Sequence, residues 1–154
     1  MSRLFRLGVL ALLSAASVAS AVEVQVKNSW VRAAAEGQTT TPAYVDLRSD
    51  TALKLVGATC AWARRVEIRA SELQDGQLVE RAVPALDVAA NAEFRLAPGG
   101  NYLALTDIER AFGNGDLVPI TLRFEDAGHI AHTVDLKAPV RGLFVPKPAA
   151  PMPH

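Results

Sequence analysis

The chain of 154 residues carries 16 basic and 16 acidic side chains, so it lacks the basic surface that a nucleic-acid partner requires. Without the first 21 residues it would lose Arg3 and Arg6 and keep 14 basic against 16 acidic side chains. The remaining residues, about 133, suffice for one domain with a hydrophobic core.

The first 21 residues have the features of a secretory signal peptide. Arg3 and Arg6 precede an apolar run that begins at Leu7 and is too short to span a bilayer comfortably. Small residues at Ala19 and Ala21 fit a signal-peptidase site. We predict cleavage before Val22, export across the inner membrane to the periplasm and no stable membrane anchor afterwards. A retained N-terminal anchor is the alternative.

Cys60 is the single cysteine, so no intramolecular disulfide can form. Its apolar neighbours favour a packed and inert thiol, and a periplasmic ligand or redox thiol is the alternative.

Beyond the predicted signal peptide, apolar residues alternate with polar ones with a period of two, which is the pattern of half-buried strands. Turn-forming residues separate these runs at short intervals, which is typical of a β-sandwich or barrel. The Ala-rich stretch 84–92 begins with a proline and is predicted to be a connection. The clearest alternating runs are 22–27, 44–48, 65–69, 93–96, 120–125 and 130–136.

We predict eight or nine antiparallel strands between residues 22 and 137, in one domain that covers residues 22–138. Residues 139–154 are predicted to form a Pro-rich flexible tail, in which 143–145 could pack on a sheet edge. The predicted core is Trp30, Tyr44, Leu55, Val66, Ile68, Leu103, Leu105, Ile120, Leu122 and Phe124.

Five segments in order resemble those of the periplasmic PCu(A)C copper-chaperone family. The resemblance as a whole covers about residues 24–136. The five segments are NSWVRA at 28–33, PAYVDL at 42–47, RVEIR at 65–69, PGGNYLAL at 98–105 and GDLVPITLRFEDAG at 115–128.

The resemblance implies a cupredoxin-like antiparallel β-sandwich with Greek-key connections. It also implies Cu(I) as cargo, a role in copper trafficking and in assembly of the CuA centre of cytochrome c oxidase, and a periplasmic trafficking or oxidase-assembly protein as partner. The family places its two histidine and two methionine ligands at slots that correspond here to Arg69, Glu80, Tyr102 and Ala104.

These four residues do not suit Cu(I), which prefers thioether sulfur and imidazole nitrogen. Arg69 is always protonated, Glu80 offers hard oxygen, Tyr102 is a neutral phenol, and Ala104 has no donor. We therefore predict a degenerate site. We expect Arg69 and Tyr102 to contact the Glu80 carboxylate, with a shallow dip at Ala104. Three solvated side chains without mutual contact are the alternative.

Other donors are few. His129 and His132 lie three apart and would point to opposite faces of a strand. Met152 and His154 lie in the tail and are weak alternative copper donors, although a solvated tail is the simpler interpretation. No catalytic arrangement accompanies the histidines, so we do not predict an enzyme. The alternative function is a ligand-free accessory or interaction module of the same fold.

Overall fold

The computed structural model describes residues 21–142, and within that range the chain is built from strands. The predicted signal peptide, apart from Ala21, and the tail residues 143–154 lie outside the described residues. The strands are β1 Val24–Arg32, β2 Thr40–Ser49, β3 Leu53–Cys60, β4 Ala63–Gln74, β5 Gln77–Ala82, β6 Leu86–Val88, β7 Glu93–Leu96, β8 Tyr102–Ile108, β9 Leu117–Glu125 and β10 Ala131–Arg141.

Seven of these strands form a closed ring of pairings. Their order is β4, β8, β2, β1, β10, β9 and β3, and the β3–β4 pairing closes the ring. Strand β5 extends the sheet beyond β4, β6 pairs with β3, and β7 pairs with β2. The all-β prediction is confirmed, while the cupredoxin-like Greek-key sandwich stays a prediction. Within residues 21–142 no helix is long and apolar enough to cross a membrane.

Two details of the predicted sheet were wrong. The structure has ten strands rather than eight or nine, because the stretch predicted as a connection contains β6. Strands β1 and β10 are parallel, with Val31 opposite Val140 and Arg32 opposite Arg141. A parallel pair between the two ends of the domain leaves no local sequence signal, because the strands are not joined by a turn.

The predicted boundary between residues 138 and 139 was also wrong, because β10 continues to Arg141. Strand β10 tolerates Pro139 because of the direction in which the amide of this residue would point. The neighbouring Val140 amide donates to the Asp116 carbonyl on the β9 side at 3.0 Å. Adjacent residues direct their amides to opposite sides, so the amide that Pro139 lacks would face β1, whose pairing with β10 begins only at Val140.

The interior is lined by alternate residues of the ring strands. Seven predicted core residues are buried there, and Val66 is half-buried against them; the seven are Leu55, Ile68, Leu103, Leu105, Ile120, Leu122 and Phe124. Trp30 and Tyr44 both lie on the outer face of the ring: Tyr44 is buried, as predicted, but outside the interior cluster, and Trp30 is only half-buried, so its assignment to the core was wrong. Val31 is the buried neighbour of Trp30, and Val45 is the buried neighbour of Tyr44.

A β-bulge in β1 explains the error at Trp30. Val24 and Val26 pack against the core, so strict alternation would also direct Trp30 inward. The β1–β2 register shifts between Lys27 and Trp30, where Asn28 has a φ of 47°. The extra residue exchanges the faces that follow it, which sends Val31 inward and Trp30 outward.

Leu122 provides a test of the core. It is fully buried on β9, which is paired with β3 on one side and β10 on the other. Leu122→Ala should lower the free energy of unfolding by about 2–5 kcal/mol, measured by urea denaturation, because it leaves a cavity between fixed strands. Thr133→Ala, on the exposed face of neighbouring β10, is the matched control and should stay within about 0.5 kcal/mol. Equal losses for the two variants would contradict the assignment of Leu122 to the interior.

Candidate functional site

The residues at the four predicted copper slots lie on β4, β5 and β8. Arg69 of β4 is directly opposite Tyr102 of β8, and Glu80 is opposite Ser71, two residues beyond Arg69 on the same face. Directly opposed residues share a face of the sheet. The structure therefore brings Arg69, Glu80 and Tyr102 together on the outer face of the ring, and we call these three residues with Ala104 the slot surface.

One of the two predicted contacts to Glu80 is present. The Tyr102 hydroxyl donates a hydrogen bond to the Glu80 carboxylate at 2.9 Å, as predicted. The predicted ion pair between Arg69 and Glu80 was wrong, because the Arg69 guanidinium pairs with Glu67 at 3.0 Å. Glu67 lies two residues away on the same strand and the same face, so it competes directly for that guanidinium.

Ala104 lies at the centre of the slot surface and is only 3% exposed, although its side chain belongs to the outer face. Its cross-strand neighbours are Pro42 of β2 and Glu67 of β4. The larger side chains around it therefore cover it, and the shallow dip expected there stays a prediction.

An aromatic ladder continues the slot surface across the ring. The ring centroids of Trp30 and Tyr44 are 4.6 Å apart, and those of Tyr44 and Tyr102 are 6.4 Å apart, both in tilted arrangements. The three residues come from β1, β2 and β8, and we call them the aromatic ladder. Sequence reasoning placed Trp30 and Tyr44 in the core and so missed the ladder. The signal that could have found it is the alternation of Tyr44 with the buried Val45.

Charged groups surround the ladder. Burial raises the pKa of Tyr102 above its ordinary value, and the hydrogen bond to Glu80 and the charge of Glu80 raise it further, while Arg69 acts in the opposite direction. Burial also raises the pKa of Tyr44; the positive charge of Arg32 lowers this pKa, and the negative charge of Glu80 raises it. Glu80 therefore acts on both phenols, and both are neutral at physiological pH.

The donor chemistry of the slot surface does not fit Cu(I). Its side chains offer guanidinium, carboxylate and phenol groups, whereas Cu(I) takes soft sulfur and imidazole ligands. The guanidinium Nε of Arg69 and that of Arg32 are buried without a hydrogen-bond partner, which adds positive charge rather than a donor for a cation. Among residues 21–142, no group of three or more His, Cys, Asp or Glu side chains is arranged to hold a metal ion.

The remaining predicted donors are dispersed. His132 Nε2 lies 2.9 Å from the Asp126 carboxylate, and this hydrogen bond lowers the pKa of Asp126. His129 is exposed, and its Nδ1 lies 3.8 Å from the Glu125 carboxylate. Asp126 also accepts hydrogen bonds from the Gly128 and Ile130 amides, so it organises the β9–β10 turn. Met152 and His154 lie outside the described residues.

Cys60 lies at the end of β3, half-buried against the core, with the Trp62 amide 3.4 Å from its sulfur. Burial raises the pKa of the thiol above its ordinary value. A thiol that is protonated and packed is a poor nucleophile and a poor ligand. This position favours the inert thiol predicted from the sequence.

The influence of Glu80 on Tyr102 can be tested by titration. Because a carboxylate disfavours the phenolate, Glu80→Gln should lower the pKa of Tyr102 toward its ordinary value in a spectrophotometric titration. In the native protein the raised pKa adds stability below the ordinary tyrosine pKa, and this contribution disappears as the pH rises through the raised value. The control is Glu109→Gln, since Glu109 pairs with Arg64 instead. A pKa of Tyr102 that is unchanged by Glu80→Gln would contradict the influence of Glu80 on this phenol.

The state of Cys60 can be tested by alkylation. At about pH 8 the folded chain should react with iodoacetamide more slowly than the same chain unfolded in urea, because burial and the raised pKa reduce the exposed thiolate. Equal rates for the folded and unfolded chains would contradict a packed thiol.

Comparisons with known proteins agree on the family and the fold. Residues 24–140 match the family model described as "Putative lipoprotein LpqE-like". The chain is 30% identical over 118 residues to "Putative lipoprotein Lxx21020" of Leifsonia xyli subsp. xyli (strain CTCB07), a match that covers 74% of this chain and 69% of the relative.

Two solved structures share the architecture. The copper-bound PCuAC domain from PmoF2 superposes with a TM-score of 0.63 at 25% identity, covering 80% of this chain and 97% of that domain. The solution structure of CuI-DR1885 from Deinococcus radiodurans gives a TM-score of 0.60 at 26% identity, covering 81% and 83%. The chain therefore belongs to the LpqE-like lipoprotein family, a PCuAC-related family, and has the fold of PCuAC domains.

Proposed function

We propose that this protein is a non-enzymatic, extracytoplasmic member of the copper-chaperone family with a degenerate copper site. In this proposal it serves copper trafficking, including assembly of the CuA centre of cytochrome c oxidase, through contact with a periplasmic trafficking or oxidase-assembly protein. The cupredoxin-like fold expected from the sequence and the predicted signal peptide belong to the same proposal. The lipoprotein descriptions of the family and the relative support a location outside the cytoplasm.

The observation that carries the proposal is the chemistry of the slot surface. Its fold neighbours include copper-bound domains, whereas here Tyr102 and Glu80 are bonded to each other and Arg69 to Glu67. A cation at this position would have to displace an ion pair and a hydrogen bond and would gain hard oxygen ligands in return. For Cu(I) that exchange is unfavourable.

A metal-free interaction module is the second candidate, and the β4–β5 hairpin favours it. Leu73 and Leu78 are directly opposed on this hairpin and are 76% and 51% exposed. They lie on the same face as Arg69 and Glu80, so an apolar tip continues the slot surface. Adjacent exposed leucines on a projecting hairpin are typical of a protein-contact surface.

A Cu(I) titration of residues 22–154 against a chromogenic chelator tests the degenerate site. The native chain should bind Cu(I) weakly or not at all. The variant Arg69→His, Glu80→Met, Tyr102→His and Ala104→Met restores the family ligand types at the four slots. Its affinity for Cu(I) should rise by more than roughly 10–100-fold, which is the change produced when only a hydrogen-bond partner of a metal ligand is altered.

A chain ending at Val145 is the control for the tail. Tight stoichiometric binding by the native chain that survives this truncation, but is lost in Glu80→Ala or Tyr102→Phe, would overturn the proposal. Binding that disappears with the tail would instead assign the copper to Met152 and His154. A restored variant that folds and gains no affinity would contradict the assignment of the four slots.

A further inference from the structure

The aromatic ladder resembles a docking platform. Three contacting aromatic rings stand on the outer face of three neighbouring strands, with Trp30 and Tyr102 half-buried at its ends and Tyr44 7% exposed between them. Interior packing does not require them there, because the other face of the same strands supplies the core. Surfaces lined by aromatic rings are the sites on which extended proline-rich segments dock.

The described part of the chain ends beside this ladder. The last residue of β10 is Arg141, which is opposite Arg32 of β1, and its guanidinium lies 5.8 Å from the centre of the Trp30 ring. The amide of Gly142 is fixed by the Asn114 side chain at 2.7 Å. The described chain therefore ends, at Gly142, directly after the strand next to that of Trp30.

The sequence beyond Gly142 is rich in proline, and its length suits the aromatic ladder. It reads LFVPKPAAPMPH over residues 143–154, with prolines at 146, 148, 151 and 153. Such a sequence favours the polyproline II conformation, which rises about 3.1 Å per residue, so the turn from Pro148 to Pro151 covers about 9 Å. That length is comparable to the aromatic ladder.

The connection is long enough for the segment to dock on its own domain. Trp30, the end of the ladder nearest to β10, lies on β1, one strand spacing of about 4.8 Å away. The three residues 143–145 span about 9 Å when extended at about 3.1 Å per residue, so Pro146 can reach Trp30 and the residues after it can run along the ladder toward Tyr102.

We propose that residues 146–153 of this chain dock as a polyproline II segment on the aromatic ladder of the same molecule. The tail is then an intramolecular ligand that covers the outer face beside the slot surface. A partner that binds the slot surface competes with it. This inference is independent of the proposed function, because it does not involve copper.

Nuclear magnetic resonance of the indole N–H groups tests the docking, since the chain has two tryptophans. Trp30 reports on the ladder, and Trp62, which contacts Phe112 and Arg110 instead, is the internal reference. Residues 22–154 are compared with a chain ending at Val145 and with the variant Pro148→Ala/Pro151→Ala. Both changes should shift the Trp30 signal in the same direction and leave the Trp62 signal in place.

The variant Ala149→Ser/Ala150→Ser is the matched control, because it alters the same segment and keeps both prolines; its Trp30 signal should match the native one. A peptide of residues 146–154 added to the shortened chain should return the Trp30 signal with a Kd at or below about 1 mM. A tethered tail reaches an effective concentration of that order, so a weaker affinity could not keep it docked.

Identical Trp30 signals in all these chains would overturn the proposal. A Trp30 shift that changes on dilution of the native chain would also overturn it, because the tail would then bind a second molecule.

Discussion

The pairing of β8 with β2 on one edge and β4 on the other determines both the core and the candidate site. It directs Leu103 and Leu105 into the interior and Tyr102 and Ala104 to the outer face. A slip of one residue would exchange these two sets. Because Leu103 and Leu105 are almost completely buried, the hydrophobic effect opposes that slip by several kcal/mol, at about 1.5–3 kcal/mol for each leucine. The positions of the slot residues thus follow from the burial of their neighbours.

Local patterns predicted a large part of the fold. The alternation at Ile120, Leu122 and Phe124 identified β9 and its buried face, because each side chain obeys the strand period without interruption. The same reasoning failed at Trp30, where a bulge at Asn28 breaks the period. It also could not predict that β1 lies parallel to β10, since that pairing joins residues far apart in the chain.

The contacts within the candidate site could be predicted only in part. The family resemblance implied that Tyr102 lies near Glu80, and the structure shows the hydrogen bond between them. The partner of Arg69 could not be predicted in this way, because Glu67 and Glu80 are both accessible to a long side chain. Exposed ion pairs contribute only about 0–1 kcal/mol, so small differences in geometry decide between two carboxylates.

The core and the slot surface use opposite faces of the same strands. The buried residues that hold the ring together face inward, whereas Arg69, Glu80 and Tyr102 face outward. A change of side chain on the outer face therefore leaves the interior contacts in place. The aromatic ladder and the slot surface provide contacts between β1, β2, β8, β4 and β5 that need no metal. Because the interior packing holds the ring together, the groups on the outer face can differ without loss of the core, and aromatic side chains there supply a large contact area at little cost in conformational entropy.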